Sequence, residues 1–451
     1  MTTSVATGTP VRASGGASEA TGFLEQEARA LLTRLDSVRP FAMNETMVPA
    51  AAPLPNALSA VEQFLLDGRR ELRQRVTGFL NWLRGPGRAA PAHEQQSRFT
   101  QIRLGFNDVL SQLDLFTEAV TQRSEHRTGV WLSGLDMLAT DALALSSVPS
   151  FAPPPLMCYL ARGPGAAIRR ARTRLPGGRD NPVALIRVPR ERMVGHGVAS
   201  SLVHEVGHQA AALLGLVDSL RPALLVAGRP SSGQALSRYW AQWISEIVAD
   251  LWSVAKLGIG STLGLIGVVS LPRWFVFRPS GADPHPIPWI RVRVSAAIGD
   301  ALYPDPQWRR VAELWSALYP LDRAPAAVQP ELEALVAQLP AFVDALLGHR
   351  PPAFTGRSVG DVLRMPDRRR PALLAYFHRW RDDPSRLFAA HPTLAFAVIG
   401  QARGDGLLTP ERESRLVGEE LTRWAVRSSL DSSLLCAHAG ARVGPTTGLT
   451  T

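Results

Sequence analysis

At 451 residues, with 45% hydrophobic and 20% charged residues, the chain can build two or three cores and has the composition of an ordinary soluble globular protein. Its formal charge of +10 rests on arginine, because Lys256 is the only lysine. The densest basic runs, RRARTR (169–174) and RRR (368–370), lie beside Pro and Gly without interleaved aromatics, which speaks for solvated loops and against a specific nucleic-acid partner.

Residues 1–21 are small and polar and lack the basic and apolar stretches of a secretory signal, so a disordered start to a cytoplasmic protein is expected. From 22 to 147 the pattern is helical. A short helix at 22–36 precedes two long stripes at helical spacing. The first is Leu58, Val61, Leu65, Leu72, Val76, Phe79 and Leu83; the second is Ile102, Phe106, Val109, Leu110, Leu113, Phe116 and Val120. With a further helix in TGVWLSGLDMLATDALAL, they predict a bundle of about four helices.

VPSFAPPP (148–155) marks a boundary. The β-prone runs LMCYLA (156–161) and VALIRV (183–188) follow, then a helix around SSLVHEVGHQAAALLG, the connector AGRPSSGQ, and a helix over 237–257. The uncharged segment 257–272 is shorter than the roughly 20 residues of a spanning helix and is broken by glycines. It is expected as a buried helix or loop behind the site, and no membrane span is expected. Residues 304–440 read as helices with Pro breaks, and 441–451 as a disordered tail. Cys158 and Cys436, isolated and far apart, cannot form a CxxC metal site and are expected as buried thiols. The resulting fold class is mainly α with a small β-sheet: an α+β core at 148–303 between helical domains at 22–147 and 304–440.

The chemistry concentrates in that core. In HEVGH, His204 and His208 stand one helical turn apart and project from one side, the geometry that two nitrogen ligands of one zinc ion need. Glu205 sits about 100° round from His204, in apolar surroundings where an ionised carboxylate needs compensation. A catalytic zinc takes three protein ligands, and SRYWAQWISEIVADLW supplies Glu246 and Asp250, again four residues apart. Glu246 is the expected third ligand. Asp250, one turn on, is placed to accept the Nδ1–H of a ligating histidine. One Zn2+ per chain is expected, held by His204, His208 and Glu246.

HEVGH followed by SEIVAD resembles the gluzincin metallopeptidases, in which an ExxxD helix follows HExxH. HPIPWIR (285–291), a His-Pro with an arginine six residues after the histidine, resembles the HP-x4-R element of the HtpX and CAAX-prenyl-endopeptidase group. The resemblance covers about 180–300. It implies a zincin-like core, His285 and Arg291 lining the active site and stabilising the reacting carbonyl, and VALIRV as a substrate-binding edge strand. Spanning helices and prenyl substrates do not carry over.

The function so implied is a zinc-dependent endopeptidase acting on peptide or protein substrates. Glu205 is the expected general base toward a metal-activated water, and His285, with Arg291, the expected donor to the oxyanion. A substrate strand would pair with 183–188. Three readings compete. An ImmA-like regulatory HExxH protease is disfavoured because its second helix reads ExxAN where this chain has Asp250. A catalytically silent zincin-fold scaffold is disfavoured by the intact Glu205 and Asp250; the third is an arginine-rich nucleic-acid binder. His196 is expected as a loop histidine, and the second His-Pro, at His391, lacks the arginine.

Overall fold

A computed structural model describes residues 14–37, 47–163, 165–190, 195–227, 234–279 and 281–442. The disorder expected for 1–13 and 443–451 and the connector at 228–233 lie outside the described residues. The chain is mainly helical with a small three-stranded sheet. Packing divides it into two compact units rather than three consecutive domains.

The first unit comprises α1 (Ser14–Ser37), α2 (Pro55–Arg84) from Leu58 onward, α3 (Ala92–Thr121) to Val120, and the segment Arg174–Asn181. Leu24, Leu31 and Leu35 pack with Leu72, Val76, Phe79 and Leu83 and with Phe99 and Phe106; the first stripe read from periodicity is buried except at Leu58, and the second is buried at Phe106, Phe116 and Val120 and half-buried elsewhere. α1 starts at Ser14, well before the expected 22. Thr21 near its start donates to Gln95 Oε1 at 2.8 Å, and the buried Gln95 amide donates onward to the carbonyls of Gly87 and Ala90.

The second unit opens with α4 (His126–Leu143) and the strands β1 (Leu156–Ala161), β2 (Ala167–Arg169) and β3 (Ala184–Pro189), in the sheet order β1-β3-β2. β1 runs parallel to β3 with Leu156 opposite Ala184, and β2 runs antiparallel to β3. Both expected strands are present, and both are apolar without alternation because both faces are covered. β3 is the central strand, which corrects the expectation that 183–188 forms an edge. The cause is β2, three residues long and too poor in β-branched side chains to stand out in an arginine-rich loop.

The outer edge of β1 is closed by side chains. Asp136 Oδ1 accepts from the Cys158 amide and Arg123 Nη2 donates to the Cys158 carbonyl, each at 2.7 Å. Gln122 makes both bonds with the Leu160 backbone, each at 2.8 Å. Arg123 and Asp136 are fully buried and pair at 2.9 Å. Burial pushes the Asp136 carboxyl up, and Arg123 opposes it. Cys158 is a buried thiol as expected; the side chain of Cys436 lies outside the described residues.

Beyond the sheet come α5 (Gly197–Leu213), α6 (Leu216–Ala227), α7 (Gln234–Leu257) and α8 (Ile259–Val269). Then follow α9 (Arg273–Val276), α10 (Pro288–Leu302), α11 (Pro306–Leu318), α12 (Gln329–Gly348), α13 (Val359–Leu363), α14 (Arg370–Asp382), α15 (Ser385–Ala389), α16 (Pro392–Gly404) and α17 (Pro410–Arg442). The C-terminal helices have no core of their own: Phe396, Leu421 and Trp424 belong to the same cluster as Leu135, Leu202 and Trp252. α5 packs closely on α7, and Gly207 permits it, since a Cβ there would lie 2.8 Å from Ala249 Cα. α8 is the expected buried helix and packs on α5, α10 and α16. Lys256, near the end of α7, is buried; its Nζ donates to the Ala144 carbonyl at 2.7 Å, and burial lowers its pKa to about 8. Among the described residues no single helix is long and apolar enough to cross a membrane; Gly197–Leu213 and Leu216–Val226 reach that length only together, bent by 80°.

Candidate metal centre

α5 and α7 place the five residues read from their spacing in one cluster. Nε2 of His204 lies 3.3 Å from Glu246 Oε2, and Nε2 of His208 lies 3.3 Å from Glu246 Oε1. The ligand atoms of His204, His208 and Glu246 are all within 4.8 Å of one another, so this group could hold a metal ion.

The remaining ring nitrogens are turned to partners that fix the rings. Nδ1 of His204 lies 2.8 Å from Asp250 Oδ1, as the second i, i+4 pair implied, and Nδ1 of His208 is 3.5 Å from Ser245 Oγ. Both Nε2 atoms therefore face the shared space. Glu205 is buried and lines a cavity of about 150 Å³ together with His204, Asp250, His285 and Arg291.

Arg291 stands in the first turn of α10, which starts at Pro288 because proline suits the first helical position. Its Nε and Nη2 donate to the two oxygens of Asp250 at 2.7 and 2.9 Å. Nη2 is also 3.4 Å from Glu246 Oε2, and the side chain is only 11% exposed. His285 sits in the preceding loop, about half exposed. Its backbone N–H donates to Asp283 Oδ1 at 3.0 Å, its Nδ1 lies 2.6 Å from the same oxygen, and its Nε2 is 3.4 Å from Glu246 Oε2. Asp283 was not singled out in the sequence. The signal was there: an Asp two residues before the histidine, in position for an Asx turn.

The electrostatics follow from this packing. Burial alone would lower the His204 pKa, but the carboxylates of Asp250 and Glu246 outweigh it and raise it to about 9. Burial pushes Glu246 and Asp250 up, yet the histidines and Arg291 hold Glu246 far below the usual carboxylate range and Asp250 at about 2. The Arg291 guanidinium is raised, because Asp250, Glu246 and Glu205 together exceed its cost of burial. The cluster attracts positive charge.

Two other histidines lie elsewhere: His196 directly precedes α5 and pairs with Glu413 at 2.5 Å, and His391 is 3.3 Å from Asp141. Gly165 and Ala166, which lead into β2, also line the cavity. No protein-family model matches the chain, and neither a curated protein nor a solved structure matches it.

Proposed function

We propose that the chain is a zinc-dependent endopeptidase with a zincin-like core of the gluzincin kind, acting on a peptide or protein substrate. The observation that carries this reading is the charge of the centre. Three buried carboxylates, Glu205, Glu246 and Asp250, surround one guanidinium, Arg291. With His204 neutral, the form in which an imidazole binds a metal, the three carboxylates and the guanidinium leave a formal −2, which one divalent cation cancels; uncompensated buried charge is costly. Two imidazoles and one carboxylate are a zinc donor set, whereas magnesium and calcium take oxygen ligands. His204, His208 and Glu246 would hold the ion, one per chain.

Bound there, zinc would supply a Lewis acid for the substrate carbonyl and a lowered pKa for water. Glu205 takes the water proton on its carboxylate and returns it to the leaving amine. His285, whose Nδ1–H is held by Asp283, donates from Nε2 as an imidazolium to the carbonyl oxygen as negative charge develops. Arg291 is committed to Asp250 and through it to His204, so its role is positioning rather than contact with substrate. β3 has a strand on each side, and the β1 edge is capped; a substrate strand therefore pairs along β2, the other outer strand, next to the cavity.

Metal analysis tests the reading. Purified protein is expected to carry one zinc per chain, to lose it on His204→Ala, and on Glu205→Gln to keep it while peptide cleavage stops. A wild-type chain that stays metal-free after incubation with zinc overturns the proposal.

A further inference from the structure

The cavity beside Glu205 is lined in one part by His204, one of the three candidate ligands, and in another by a cluster of serines. Its lining includes Ser200 of α5, Ser253 of α7, and Ser261, Leu265 and Val268 of α8. Each of the three serines is at most 5% exposed, and their hydroxyl protons are all spent on one another's groups. Ser200 Oγ donates to the Ser261 carbonyl at 2.9 Å, Ser253 Oγ to the Ser200 carbonyl at 3.3 Å, and Ser261 Oγ to Ser253 Oγ at 2.8 Å.

A hydroxyl has one proton and two lone pairs. With those protons committed, these three serines offer acceptors and no donor; Ser201 of α5 lines the cavity as well. Oγ of Ser200 and of Ser261 accepts no hydrogen bond from any described residue. Leu265 and Val268 add apolar wall beside them. Depth is limited by the approach of α8 to α5: a Cβ on Gly264 would lie 2.3 Å from Ser200 Cβ. A group that fits is therefore short, carries a hydrogen-bond donor, and tolerates an apolar side.

We propose that this pocket receives the short hydroxyl-bearing side chain of a threonine or serine next to the scissile bond, which makes hydroxyl-containing peptides the preferred substrate class. The proposal rests on the peptidase reading above and adds to it the selecting group.

Zinc-loaded Glu205→Gln protein, titrated calorimetrically with blocked tetrapeptides that differ at one position (Thr, Ser, Val, Ala or Lys), tests it without turnover. The Thr peptide is expected to bind about tenfold more tightly than its isostere Val, the size of one hydrogen bond made to a buried acceptor. The Thr/Val gap is expected to shrink in Ser261→Ala and Ser200→Ala. Equal affinity of Thr and Val, or tightest binding of Lys, overturns the pocket assignment; wild-type zinc uptake and cleavage of the same peptides would then leave the peptidase reading standing. If wild type neither takes up zinc nor cleaves any of the peptides, that reading fails and the assignment fails with it.

Discussion

Asp250 touches His204 through Nδ1 and Arg291 through two bonds, so one carboxylate ties a candidate ligand ring to the guanidinium of the cluster. Asp250→Ala is expected to weaken zinc affinity about 10–100-fold, measured by competition with a chelator. Arg291→Ala should weaken it too, since Asp250 loses the group that aims it. His285→Ala is expected to behave differently: zinc content unchanged, kcat lower by about 10²–10³-fold, KM little changed. Unchanged zinc affinity in Arg291→Ala would return that arginine to the substrate carbonyl. The cluster of candidate ligands was legible in the sequence because i, i+4 spacing on a helix fixes which side chains share a side. The partner of Arg291 was not, because a contact made across 41 residues of chain leaves no local pattern.

Between elements, α5 approaches α7 closely at Gly207, inside the HEVGH run itself. A methyl group there would lie 2.9 Å from the Ala249 carbonyl oxygen and 3.0 Å from Trp252 Cβ. Gly207→Ala is therefore expected to force the helices apart, destabilising the chain by ~1–3 kcal/mol in urea unfolding. It should also lower zinc affinity, because α7 carries Glu246. A variant with wild-type stability and zinc binding would show that α7 adjusts freely. The strands and helices themselves were legible from their apolar runs and stripes. Sheet order was not: β2 is three residues long, and its pairing turns 183–188 from an edge into a centre.

At the scale of the whole molecule, the sequence pattern 304–440 read as a separate helical domain, yet its side chains complete the core around α5 and α7. Periodicity shows which face is buried and not what buries it. Glu420 of α17 is one consequence. It is fully buried, Oε1 meets Arg423 at 3.0 Å, and Oε2 has no partner. Burial, partly offset by Arg423, raises its pKa from the ordinary 4.5 to about 7. Between those values the folded chain keeps a proton that the unfolded chain releases, so stability falls as pH rises across that window. Glu420→Gln is expected to flatten that fall and raise Tm above pH 7, as followed by calorimetry; an unchanged pH profile would place the titration elsewhere.

Lys256 gives the molecule a property that no stability curve displays. It is the only lysine, and the fold buries it against the Ala144 carbonyl. A lysine-specific protease thus finds no accessible cleavage site on the folded chain. Once the end of α7 opens, it can cut at one bond, giving fragments 1–256 and 257–451. The appearance of those two bands counts the molecules that have opened, one cut for each.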